Sequence, residues 1–256
     1  MEEAKARKKL WNILRRKMQI KSVIFDFGGT IDTNGIHWSE MFWKAYKECG
    51  VPVEKSNYEK AYVEAERAFR DVKNKVTLDF YGILKNRVFL QLEYLYYNKK
   101  FNKLPGMNKL VKYNECIADF CYSEVKKNIE DHKELFKILT QNYEMAVVSN
   151  FYGNIDKVLK EFNILKYFSQ VVDSEVVGIR KPDPDIFKIG CELLKGTCKE
   201  MIVIGDSYTN DIEPSKSLGC NTIWLEGKSW TTPESTGKAD YKIHKLKDIK
   251  KLLKIT

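Results

Sequence analysis

The spacing of apolar residues changes twice along this chain. Ile20 and Val23-Ile24-Phe25 form a short apolar run that closes on Asp26. Its length and β-branching predict a buried strand over 20–26. From residue 38 the rhythm shifts to steps of three and four, as in Phe80, Ile83, Leu84, Val88, Leu92 and Leu95. That rhythm predicts four helices, near 38–49, 55–75, 79–98 and 109–127, with Gly50-Val51-Pro52 and Leu104-Pro105-Gly106 as breaks. After residue 130, predicted helices at 131–142, 154–163, 184–195 and 211–218 alternate with strands at 143–149, 170–173, 200–205 and 221–226. A strand at 240–243 and a helix at 245–254 end the pattern. Such alternation implies an α/β fold, a doubly wound parallel sheet with helices on both faces. The expected organisation is a basic extension at 1–17, a core made from 18–36 and 128–256, and an inserted helical-bundle cap at 37–127.

Composition narrows this picture. Hydrophobic residues make up 43% of the 256 positions and aromatics 12%, enough for a substantial core and too much for a disordered chain. No apolar run reaches the ~18 residues a membrane helix needs, so no membrane partner is expected. The net charge of +9 is concentrated at the two ends, with +5 in residues 1–17 and +5 in 228–256. Lysine-rich ends are ordinary solvated surface, and no nucleic-acid motif accompanies them. Residues 1–17 read as a short basic helix with Leu10, Trp11, Leu14 and Met18 on one face. Either this is a surface or targeting segment, or Met18 is the natural start and the segment is dispensable. Six cysteines without a Cys-x-x-Cys pair, and no secretory signal, suggest a reduced cytoplasmic chain with thiols used as small core residues.

The informative polar residues fall where parallel sheets bind ligands, beyond the carboxyl ends of strands. Asp26 follows the first strand, Ser149-Asn150 the second, and Asp206 follows Met201-Ile202-Val203-Ile204-Gly205. Lys181 lies in the loop Gly178-Ile179-Arg180-Lys181-Pro182-Asp183-Pro184-Asp185. The order Asp-Phe-Gly-Gly-Thr, Ser-Asn, Lys-Pro-Asp-Pro-x-Ile-Phe and Gly-Asp-Ser-x-x-Asn-Asp resembles the four motifs of the haloacid dehalogenase-like (HAD) hydrolase superfamily. The helical stretch after the first motif matches its branch with an all-helical cap. The resemblance implies a Rossmann-like core and Mg2+-dependent phosphatase or phosphotransferase chemistry on a small phosphorylated metabolite. By the same resemblance, Asp26 is the nucleophile, forming an aspartyl-phosphate, and Ser149 and Lys181 are its catalytic partners. Asp26, the Gly28 carbonyl and Asp206 hold the metal. Gly29, Thr30, Ser149, Asn150 and Lys181 line the substrate, and Asp211 supports the site. Physical chemistry agrees, because a carboxylate attacking a phosphate ester needs cations to offset two negative charges. Asp183 and Asp185 read as turn and capping residues.

One position departs from the pattern. Where the superfamily's phosphatases carry a second Asp as general acid and base, this chain has Gly28. General acid–base help is worth about 10²–10⁴-fold. Either the substrate has a good leaving group, such as an acyl or anomeric phosphate, with Asp32 or His37 activating water, or the chain is a degenerate binding protein. A phosphonatase would need a cap lysine, and a metal-independent dehalogenase would not keep Gly205-Asp206. The cap aromatics Trp38, Phe42, Trp43, Tyr81 and Tyr94 read as helix-packing residues, and His37 as a helix-start residue.

Overall fold

Six short strands and the helices between them build the molecule. The computed structural model describes residues 20–228, 239–253 and 255. The basic segment 1–17 and Met18 lie outside the described residues. Strand β1 (Ser22–Phe25) is buried along its whole length, as a central parallel strand must be. It is followed by β2 (Glu144–Ser149), β3 (Gln170–Asp173), β4 (Met201–Gly205), β5 (Asn221–Leu225) and β6 (Tyr241–Ile243). All pair in parallel, in the order β3-β2-β1-β4-β5-β6. The chain runs outward from β1 to β3 and then crosses back to β4 on the other side of β1. That reversal opens a crevice at the carboxyl ends of β1 and β4, where such sheets bind ligands.

Four helices lie between β1 and β2. They are α1 (Trp38–Glu48), α2 (Lys55–Arg70), α3 (Phe80–Tyr97) and α4 (Met107–Leu139). Helices α5 (Ile155–Glu161), α6 (Ser174–Val177), α7 (Asp185–Leu193), α8 (Glu213–Ser217) and α9 (Ile249–Leu253) complete the core. The largest departure from expectation is α4. The helices expected at 109–127 and 131–142 are one continuous helix of 33 residues. Nothing in Lys127-Asn128-Ile129-Glu130-Asp131 breaks a helix, since it holds neither Gly nor Pro. At 1.5 Å per residue the helix is ~50 Å long. It therefore carries the chain from the insert back onto the sheet without a joint. Its last turns bury Leu135, Phe136 and Leu139, and Phe136 meets Phe25 edge-on at 5.7 Å.

The cap aromatics pack as expected. Trp38 and Phe42 are buried, and Trp43, Tyr81 and Tyr94 lie half-buried against the same core. Between Trp38 and Phe42 sits the buried Arg87 guanidinium, 5.2 and 5.0 Å from the two ring centres. Glu66 neutralises it through bonds of 2.8 and 2.5 Å. The reading of a reduced chain, with its cysteines mostly small core residues, is corrected at one pair. Cys49, at the end of α1, and Cys116, in α4, form a disulfide across 67 residues with Cα atoms 6.0 Å apart. Sequence spacing carries no sign of such a link, because helix packing alone brings the two positions together. No described helix is long and apolar enough to cross a membrane.

Candidate active site

The site assembles at the crevice because β2 ends on Ser149 and β1 and β4 are followed directly by Asp26 and Asp206. Asp26 extends β1 by one ladder bond, its amide donating to the Ile204 carbonyl at 2.9 Å. Register places Phe25 beside Val147 on one side and Ile204 on the other. Asp26, Ser149 and Asp206 therefore emerge at one edge. Lys181 arrives from the loop between α6 and α7. Its ammonium is buried and donates to Asp26 Oδ1 at 2.6 Å and Asp211 Oδ1 at 2.7 Å. Ser149 Oγ lies 3.4 Å from the same Asp26 oxygen. Burial disfavours the Lys181 charge, but Asp211 and Asp26 outweigh it and hold the ammonium above the ordinary lysine range.

Negative charge exceeds positive charge here. One carboxylate oxygen from each of Asp26, Asp206 and Asp211 falls within 4.8 Å of the others. Burial, then Asp26 and Asp211, push the Asp206 carboxyl well above the usual range, against a hydrogen bond from Thr30. Asp211 is raised to about 6, chiefly by burial, with Lys181 pulling the other way. Lys181 cannot neutralise three carboxylates. An all-oxygen, electron-rich cluster of this kind fits a hard divalent cation.

The first loop explains two of its glycines. Gly29 has φ +99°, and a Cβ there would stand 2.4 Å from the Asp206 carboxylate oxygens. Only glycine lets Asp206 approach this backbone. Gly28 differs: its φ of −78° suits any residue, and a Cβ would meet nothing nearer than Trp38 Nε1 at 4.0 Å. Space is therefore open where the second carboxylate is missing. Beyond β4, Gly205 leaves room for Asp211, whose side chain would lie 2.4 Å from any Cβ.

The other expected residues sit around this centre. Thr30 Oγ1 donates to Asp206 Oδ1 at 3.1 Å and accepts from the Asp206 amide at 3.0 Å. The Gly29 amide is committed to Asp32 Oδ1 at 2.6 Å. Asn150 clamps the backbone of Lys181 with bonds of 3.0 and 2.9 Å. Asp211 also accepts from the Ser207 amide at 3.0 Å. Asp183 accepts from the Asp185 amide at 3.0 Å, the expected turn role. His37 Nδ1 caps α1 by accepting from the Ser39 amide at 3.2 Å, and burial pushes its pKa down.

Several contacts escaped sequence reasoning. Trp38 Nε1 donates to Asp32 Oδ2 at 2.8 Å, joining the cap to the first loop. Asp32 is raised to about 7, first by burial, while its bonds from Gly29 and Trp38 pull downward and Asp26 adds repulsion. From α4, Asn128 Nδ2 bonds the Asp32 carbonyl at 3.0 Å and His132 Nδ1 the Ile31 carbonyl at 3.1 Å. Asp173, ending β3, accepts from the amides of Gly153, Ile155 and Glu175 and so fixes the loop after Ser149. A strand-end Asp before Ser-Glu was the available signal for Asp173. Asn128 and His132 depend on the path of α4, and the Trp38 bond on the turn between the first loop and α1.

Known proteins place this architecture. A family described as haloacid dehalogenase-like hydrolase matches residues 20–219. Haloacid dehalogenase-like hydrolase domain-containing protein 3 of Danio rerio is 31% identical over 116 residues, 45% of this chain and 48% of that protein. Pyrophosphatase PpaX of Listeria welshimeri is 32% identical over 114 residues, 43% of this chain and 51% of that one. The chain thus spans about half the length of these curated relatives. Among solved structures, the putative HAD-hydrolase YfnB of Bacillus subtilis bound to magnesium superposes with TM-score 0.56 at 20% identity, covering 92% of this chain and 99% of that one. Fold, motif order and family match agree, and the chain belongs to the haloacid dehalogenase-like hydrolases.

Proposed function

We propose that this chain is a Mg2+-dependent phosphatase or phosphotransferase for a small phosphorylated metabolite, with Asp26 as nucleophile. The observation that carries the reading is Lys181 bonded at once to Asp26 and Asp211 beside the crowded Asp206 carboxylate. Asp26, Asp206 and the Gly28 carbonyl would hold the metal. When bound, Mg2+ supplies the positive charge that lets a carboxylate meet a phosphate ester. An Asp26 oxygen attacks phosphorus, the bond to the leaving group breaks, and that group departs with the electron pair. Lys181 and Ser149 donate to the phosphoryl oxygens as charge builds on them. Water then releases phosphate and regenerates Asp26, or another acceptor takes the group. Relatives named glyceraldehyde 3-phosphate phosphatase and pyrophosphatase support phosphoryl chemistry over dehalogenation.

Gly28 bears no proton, so the best substrates carry a leaving group stable as an anion, such as an acyl or anomeric phosphate. Of the two substitutes for the missing acid, Asp32 fits better than His37. Asp32 feels the Asp26 charge and its Trp38 partner borders the space at Gly28, whereas the charges that reach His37 are those of Glu66, Arg87 and Glu40 on the helices α1 to α3. Replacing Asp32 with Asn should remove one limb of the pH–rate profile, and His37→Gln should leave the profile intact. The broader test is a panel of phosphorylated metabolites with Mg2+, run beside Asp26→Asn. Turnover lost in the variant supports the reading. Turnover surviving in the variant contradicts it, and none across the panel favours a binding protein that retains the fold.

A further inference from the structure

Three cysteines gather far from the carboxylates. Cys191 lies near the end of α7, Cys198 opens the single turn Cys198–Glu200 before β4, and Cys220 immediately precedes β5. Ile202 of β4 pairs with Asn221 of β5, so Cys220 stands level with Met201 at the amino ends of the strands. The catalytic edge lies beyond Gly205 at the other ends. Five residues of strand separate Met201 from Asp206, ~16 Å at about 3.3 Å each. The two clusters are therefore distinct sites.

The three Sγ atoms lie within 4.8 Å of one another. None is in a disulfide. Cys191 and Cys220 are buried, while Cys198 is half-exposed and gives a route from solvent. A d10 ion bound at ~2.3 Å from each sulfur spaces three sulfurs about 4 Å apart. The thiols thus need only a small contraction to close on one ion.

The surroundings favour a soft cation. Met201 belongs to the same buried cluster, and its methyl packs on Gly196 in the loop that carries Cys198. Three thiols make a sulfur-rich neighbourhood, which selects soft metals over Mg2+. The Lys199 side chain runs along Gly219, next to Cys220.

We propose that Cys191, Cys198 and Cys220 form a binding site for one soft d10 metal ion, copper(I) or zinc(II), held as a three-thiolate complex. Three thiols lose their protons as the ion enters, so binding releases up to three protons and strengthens as pH rises. No electron transfer is involved. The ion would join α7 to β4 and β5 and act independently of the phosphoryl site.

The test is equilibrium competition of the whole protein against a chromophoric chelator under anaerobic conditions. Copper(I) is titrated first, because it ignores carboxylates. Zinc(II) follows with excess Mg2+ and an Asp206→Asn control. One equivalent bound, with sulfur-to-metal charge-transfer absorption for copper(I), is expected. Cys198→Ser, at the half-exposed position, should fold normally and lower affinity by at least about tenfold. Turnover of acetyl phosphate should be unchanged in that variant. The stronger-binding ion identifies the cargo. No stoichiometric binding of either ion, or undiminished binding in Cys198→Ser and in Cys191→Ser, overturns the proposal and leaves the three thiols as core packing.

Discussion

Gly28 and Gly29 are neighbours with opposite requirements. At Gly29 an Ala side chain would strike the Asp206 carboxylate and demand a left-handed φ. Gly29→Ala is expected to lower stability by more than ~1 kcal/mol and to weaken Mg2+ binding, measured by urea unfolding and calorimetry. At Gly28 the backbone is ordinary and the space open. Gly28→Asp should fold normally and raise kcat on simple phosphate esters, by up to ~10²-fold if only the proton carrier is missing. No gain would mean that the pocket differs in more than this one group. Asp32 supplies a pH signature. Its folded pKa of about 7 exceeds the model-peptide value of 3.8, so the native state holds a proton that the unfolded chain releases. Its contribution to stability is full below pH 3.8 and is lost as pH rises towards 7. In EDTA, Asp32→Asn should flatten the fall in stability across that window.

Helix α4 ties the cap to the first loop. Through Asn128 and His132 its middle turns hold the carbonyls of Asp32 and Ile31, a few residues from Asp26. Burial lowers His132 to about 4 from 6.5, so it is a neutral core residue at pH 7. Below pH 6.5 the unfolded chain binds a proton that the native state refuses, and stability is lost as pH falls towards 4. His132→Gln should reduce that loss, which is on the order of 3 kcal/mol for a shift of this size. Asn150 acts on Lys181 through the backbone. Asn150→Ala is expected to lower kcat about tenfold with little change in folding, because a freed Lys181 no longer meets Asp26 in fixed geometry.

At the level of the whole molecule, the alternating pattern after residue 130 and the polar strand ends made the sheet and its reactive edge legible. Asp26, Ser149 and Asp206 could be placed because parallel topology puts them at strand ends, whereas Asp211 and the expected roles came from the resemblance of the motifs, and Lys181 from the loop leading into a helix. The continuity of α4 was hidden, since the change of partner at residues 127–131 looks like a break in pattern although no breaker residue is present. The Cys49–Cys116 link was hidden because it depends on how the helices fold back, which local spacing does not encode. The Trp38–Asp32 bond is local in sequence but depends on the turn between the first loop and α1. The central claim is that Asp26 takes the phosphoryl group. With buried Asp32 as the substitute for the proton carrier missing at Gly28, release of the aspartyl-phosphate should be slow enough for it to accumulate during turnover. Acetyl phosphate with Mg2+, followed by borohydride reduction and peptide mass spectrometry, reads this directly. The account predicts reduction of Asp26 to homoserine in the wild type, less of it in Gly28→Asp, and none without substrate. Turnover with Asp26 unmodified, or equal turnover in Asp26→Asn, would contradict it.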